Sequence, residues 1–168
     1  MAVQWYVIHS KPHREEALSQ HIKAKGIEYY YPRLRVRPVN PRSRTIRPYF
    51  PGYLFVHTDL EAMGESLFQW MPEAVGLVSF GGEPATVPDQ LMQDMRHTLG
   101  EMIDAGREQD DLVHGDQIVI QTGPFAGYQA IFDRRLAGNK RVRVLLEMLR
   151  GRSISVDLNT LHIKRARP

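Results

Sequence analysis

His9 and His13, in "HSKPH", have a spacing that on a continuous helix would turn two imidazoles to one side, where they could ligate a metal. Pro12 stands between them and no carboxylate pattern completes the set, so no metal is expected. The chain has no cysteine, which removes disulfides, thiolate nucleophiles, zinc ribbons and iron-sulfur ligation and fits a reducing compartment. A serine hydrolase would need a strand-turn-helix elbow around its nucleophile, and "GESLF" does not supply one. The glycines of "GPFAG", Gly123 to Gly127, are followed by neither Lys-Ser nor Lys-Thr and do not space as a dinucleotide fingerprint. The residues therefore predict no catalytic group, no cofactor and no enzymatic activity.

What remains is binding chemistry. "RPYFPGYLFV", Arg47 to Val56, gathers rings and prolines around Gly52. Rigid side chains of this kind give contact area at little entropic cost, and Tyr53 adds a hydroxyl for a polar partner. On a strand Tyr53 and Phe55 point one way and Leu54 and Val56 the other, so one face can serve a core and the other a partner. The plainer reading buries both faces under helices. Just before this stretch, Arg33, Arg35, Arg37, Arg42, Arg44 and Arg47 occur without an intervening acid. They read either as a charged, aggregation-resistant edge or as a phosphate-attracting hairpin, and the second is preferred.

These groups must be carried by elements whose signals are clear in the first hundred residues. "QWYVIHS" alternates as a strand; a helix follows with Pro12 in its first turn, Leu18 and Ile22 on one face and Gly26 as its stop. "IEYYYPRLRVRPV" reads as a strand made an edge or a bulge by Pro32 and Pro38, and "NPRSR" as a turn. "YLFVHTD" is a strand, and "LEAMGESLFQWM" a short helix with Leu60, Met63, Leu67 and Trp70 on one side, weakened by Gly64. "AVGLVSFGG" is a strand, and "PDQLMQDMRHTLGEM" a helix burying Leu91, Met95, Thr98, Leu99 and Met102. The order β, α, β, β, α, β, α suggests an α+β domain, an antiparallel sheet flanked by helices, over residues 1–100.

Residues 101–112 form an acidic linker: Glu101 to Asp111 holds five acids against Arg107 alone. Residues 113–168 carry ten bases and four acids and read as a second, small domain. "GDQIVIQ", "YQAIFDRR", "KRVRVLLEML", "RSISVD" and "LHIKRA" are short segments at regular spacing, as in a five-stranded barrel. No run approaches the ~18 to 20 apolar residues of a membrane helix and no signal segment opens the chain, so a cytoplasmic protein without membrane contact is expected.

Gly115 to Phe132, with its turn Gly123, Pro124, Phe125 and Gly127, resembles the KOW motif of the NusG family of transcription elongation factors. "WYVIHSKPHREEALSQHI" and "PYFPGYLFV" resemble the two most recognisable stretches of that family's amino-terminal domain, in the right order. Among its branches the sequence is most similar to the specialised RfaH type. The resemblance implies an NGN-like domain that binds the clamp helices of bacterial RNA polymerase and suppresses pausing and termination. It also implies a KOW domain, an SH3-like β-barrel, that contacts ribosomal protein S10 in preference to Rho.

Matched position by position, the polymerase-binding pocket falls on Phe50, Pro51, Tyr53 and Phe55, with His9 where the RfaH branch has a tyrosine. Contact with the non-template DNA strand falls on Lys11 and His21; Pro12 replaces an arginine for which His13 and Arg14 can substitute. Arg35, Arg37, Arg42, Arg44 and Arg47 are further nucleic-acid candidates. Glu65 and Ser66 stand where the family touches the opposite polymerase lobe, and the match there is poor.

The RfaH branch also implies a tail that can be a helical hairpin masking the pocket before it becomes a barrel. "VRVLLEML" permits both, since Val142, Val144, Leu146 and Met148 alternate while Val142, Leu145, Leu146 and Leu149 form a helical stripe. In the masked form Ile131, Leu145, Leu146 and Leu149 would cover the aromatic pocket. The expected molecule is a monomeric antitermination factor. A general NusG-type factor is the alternative within the family, and an RNA-binding or ribosome-associated KOW protein the alternative outside it.

Overall fold

A computed structural model describes residues 2–35, 42, 46–100, 102–104, 131–132 and 136–151. Its centre is an antiparallel sheet of β1 (Gln4–Ser10), β2 (Glu28–Tyr30), β5 (Tyr53–Thr58) and β6 (Ala74–Leu77), in the order β2-β5-β1-β6; β9 (Thr86–Val87) also pairs with β1. β1 runs against β5 with Val7 opposite Phe55 and His9 opposite Tyr53.

The alternation of these strands sorts their side chains into two cores. Tyr6, Ile8, Leu54 and Val56 pack with Leu18 and Ile22 of α1 (Glu15–Ala24) and with Phe68 and Met71. On the opposite face Trp5, Val7, Tyr30 and Phe55 meet Leu91, Met92, Met95 and Leu99 of α4 (Asp89–Leu99). That second core also takes in Ile131, Leu136 and a helix from the far end of the chain, α5 (Gly138–Leu149). Phe55, expected to face outward, is fully buried, in the core that holds residues of both α4 and α5.

The remaining differences from the sequence expectations have local causes. Pro12 is not in a first helical turn: Lys11 to Arg14 form a turn, with Arg14 N–H donating to the Lys11 carbonyl at 3.1 Å and His13 at φ 60°, and α1 starts only at Glu15. The strand expected through Pro32 breaks there, because proline has no N–H to continue the ladder. Its carbonyl instead accepts from Tyr49 N–H at 2.9 Å. β3 (Arg33–Arg35) then joins a separate sheet, antiparallel to β4 (Ile46–Pro48) and parallel to β10 (Met102–Asp104).

The helix expected from Leu60 is two, α2 (Leu60–Met63), capped by the Asp59 carboxylate, and α3 (Glu65–Gln69). Gly64 at φ 84° separates them and resets the phase, so Phe68 is buried while Trp70 is 79% exposed. Gly81 and Gly82, both at positive φ, turn β7 (Ser79–Phe80) into β8 (Glu83–Pro84). Gly100, at φ 70°, ends α4, so Met102 belongs to β10 rather than to the helix; Met92 is buried there and Thr98 exposed. "KRVRVLLEML", one of the strands expected for a barrel, lies within α5.

Candidate functional site

The aromatic stretch folds as β4, a tight turn and β5. Tyr53 N–H donates to the Phe50 carbonyl at 3.0 Å, and Gly52 takes φ 87°, a conformation that a side chain would strain. Two anchors from elsewhere hold the turn: Ser10 N–H donates to the Gly52 carbonyl at 2.8 Å, and the buried Glu15 carboxylate accepts from Gly52 N–H at 3.1 Å. His9 stacks on Tyr53, ring centroids 4.6 Å apart and 5° from parallel. Burial lowers the His9 pKa and raises that of Tyr53, each favouring the neutral form. Phe50 sits edge-on to Tyr49 at 5.1 Å and to Phe55 at 5.8 Å.

The tail covers this cluster. Ile131 and Leu145 are fully buried in the same core as Phe50 and Phe55, while Leu146 and Leu149 pack against it partly buried. Gly138 opens α5 against Pro51 so closely that a Cβ there would lie 2.7 Å from Pro51 Cγ. Arg141, only 4% exposed, donates from Nε to the Tyr49 carbonyl at 2.9 Å and from Nη1 to the Leu136 carbonyl. Its guanidinium lies 4.0 Å over the Tyr49 ring. Sequence patterning does not single out Arg141 or Tyr49; the available signal is that Arg141 stands four residues before Leu145, inside the apolar stripe.

The basic candidates divide. Lys11, His13 and Arg14 form one exposed loop, tied down by Lys11 N–H donating to the Glu73 carbonyl at 2.9 Å and by an Arg14–Glu73 ion pair at 3.2 Å. His21 is half-buried further along α1. Arg35 and Arg47 lie on paired strands, with Arg35 opposite Ile46 and Leu34 opposite Arg47, and Arg42 is exposed. Glu65 and Ser66 are exposed in the first turn of α3. Arg37, Arg44 and the turn Gly123, Pro124, Phe125 and Gly127 lie outside the described residues. Among the described residues no cluster of histidines and acids could hold a metal, and no helix is long and apolar enough to cross a membrane.

Comparison with known proteins fits these elements. A family model described as "Transcription termination factor nusG" matches residues 3–96. The transcription termination/antitermination protein NusG of Thermus thermophilus is 26% identical over 186 residues, covering 99% of this chain and 100% of that protein. The protein of the same name from Deinococcus radiodurans is 24% identical over 186 residues, covering 95% and 97%. A solved structure, "Domain interaction in Thermotoga maritima NusG", aligns over 74% of this chain and 76% of that chain, with 24% identity and a TM-score of 0.45.

Proposed function

The chain belongs to the NusG family, and from that premise we propose that it is a transcription antitermination factor of the RfaH type, held inactive by its own tail. The face built from His9, Phe50, Pro51, Tyr53 and Phe55 binds the clamp helices of bacterial RNA polymerase, and α5 occupies that face in the free protein. Lys11, His13, Arg14 and His21 contact the non-template DNA strand, with the arginine hairpin near nucleic acid. Glu65 and Ser66 face the opposite polymerase lobe. After release the tail refolds as a KOW barrel that contacts ribosomal protein S10 in preference to Rho. The protein works in the cytoplasm, as a monomer when free.

The observation that carries this reading is the burial of Ile131 and Leu145 in one cluster with Phe50 and Phe55. Burying two such side chains is worth about 1.5 to 3 kcal/mol each, enough to compete with a partner and small enough to be displaced by one.

The test is a pull-down on core RNA polymerase. Gly138→Ala places a Cβ in collision with Pro51, so it should loosen α5 and raise polymerase capture by the full-length protein. Adding Tyr53→Ala should abolish the gain. If nuclear magnetic resonance shows α5 displaced while capture stays unchanged, the masking reading is wrong.

A further inference from the structure

Trp70 stands out from the rest of the apolar inventory. It ends α3 with its N–H on the Ser66 carbonyl at 3.0 Å, while its indole is 79% exposed. Tryptophan usually buries its rings, so an indole left in water is informative where a lone leucine would not be. The surroundings do not form a continuous apolar patch of the kind that docks a protein. Gln69 and Pro72 are exposed, Met71 turns into the core, and Val75, 53% exposed, is the neighbouring apolar group.

The turn that displays Trp70 is locked to the basic loop. Ala74 N–H donates to the Met71 carbonyl at 3.1 Å, and Ala74 pairs in register with Ser10, the last residue of β1. The next residue, Lys11, donates its N–H to Glu73, and Arg14 pairs with the Glu73 carboxylate. That pair offsets the charge of Glu73, three residues after Trp70, and holds the guanidinium at the edge of the turn. Lys11, His13 and Arg14 are all exposed on the loop so anchored. Through Glu73, the turn that carries an exposed aromatic ring is thus bonded to a loop of exposed cationic and hydrogen-bonding side chains, and stacking rings with nearby cations are the combination that holds an unpaired nucleic-acid strand by base stacking and phosphate contact.

We propose that Trp70 is a stacking platform for an unpaired base of single-stranded DNA, with Lys11, His13 and Arg14 on the adjoining phosphates. The choice of DNA over RNA rests on the polymerase reading above; the stacking does not. The platform lies on the α3–β6 turn, apart from the face that α5 covers, so the free full-length protein presents it.

The test uses the full-length chain without polymerase, titrated with a short oligodeoxythymidylate at low salt, where phosphate contacts are strongest. Trp5 is buried, so quenching of tryptophan emission reports Trp70 and should vanish in Trp70→Phe. Anisotropy of a labelled oligonucleotide gives the affinity: Trp70→Ala should weaken binding about tenfold, and Trp70→Phe about threefold or less. Duplex affinity should stay unchanged in both. Absence of quenching in the wild type, or equal affinity in a Trp70→Ala protein that melts normally, overturns the proposal. So does tighter binding of an oligouridylate of the same length. Loss of core polymerase capture in Trp70→Ala with single-strand affinity intact would make the indole a protein contact and likewise overturn it. Quenching by the oligonucleotide in a wild type that never captures polymerase, even with α5 displaced, would instead sink the polymerase reading and leave this site standing.

Discussion

Arg141 shows how much one side chain can decide. A buried guanidinium costs several kcal/mol in lost hydration unless its donors are met, and here Tyr49 and Leu136 supply carbonyls while the Tyr49 ring lies under the charge. Replacing it with alanine should loosen α5 by about 1 to 3 kcal/mol. Amide exchange in α5 should then quicken about tenfold or more, with the central sheet unchanged. Arg141→Lys should recover little, because an ammonium cannot reproduce the planar fork or the stacking. His9 gives a pH signature with a definite sign. Its folded pKa is lowered by burial, so the unfolded chain binds the proton more readily, and stability falls as pH drops through the unfolded value of about 6.5. His9→Phe keeps a ring against Tyr53 and removes the titration. Its melting midpoint should change less than that of the wild type between neutral and mildly acid pH, and parallel curves would count against the assignment.

At the scale of elements, α5 is a helix in spite of its sequence. It starts at a glycine, carries Val142 and Val144, and has Ala137 at its N-cap position with no side-chain cap; each weakens a helix standing alone. Its stability must come from the core it joins. Ala137→Asp, at an exposed position with extended backbone, should supply the missing cap and strengthen α5 by about 0.5 to 2 kcal/mol. Slower exchange in α5 together with weaker polymerase capture is the expected pair of results. Capture that rises instead would mean that α5 does not compete for the polymerase face. The same weakness explains what could be read from the sequence. β1, α1 and the strand at Tyr53 were legible because alternation, Leu18 with Ile22, and Gly26 agree with one another. "VRVLLEML" satisfies both periods, and the choice is made by Tyr49, Phe50 and Pro51, far away in the chain. Trp70 was misplaced because a positive φ at Gly64 resets the helical phase, which spacing alone does not show.

For the whole molecule, the connection between the two parts matters as much as the contact. α5 and the residues just before it join the aromatic core through apolar side chains, Ile131, Leu136, Val142, Val144 and Leu145 among them, and through Arg141. Tethering strengthens this contact, because two parts of one chain meet at an effective concentration of about the millimolar range. A weak contact can then keep the face occupied nearly all the time. Cutting the tether should remove that advantage without altering any contact. With a protease site placed in the acidic segment 105–112, cleavage followed by dilution to micromolar protein should free the tail and raise polymerase capture about tenfold or more. Capture that stays low, with the tail co-eluting, would mean that the contact holds without the tether. A single chain would then need more than competition from polymerase to open, and the switch would have to be driven by a partner that acts on the tail itself.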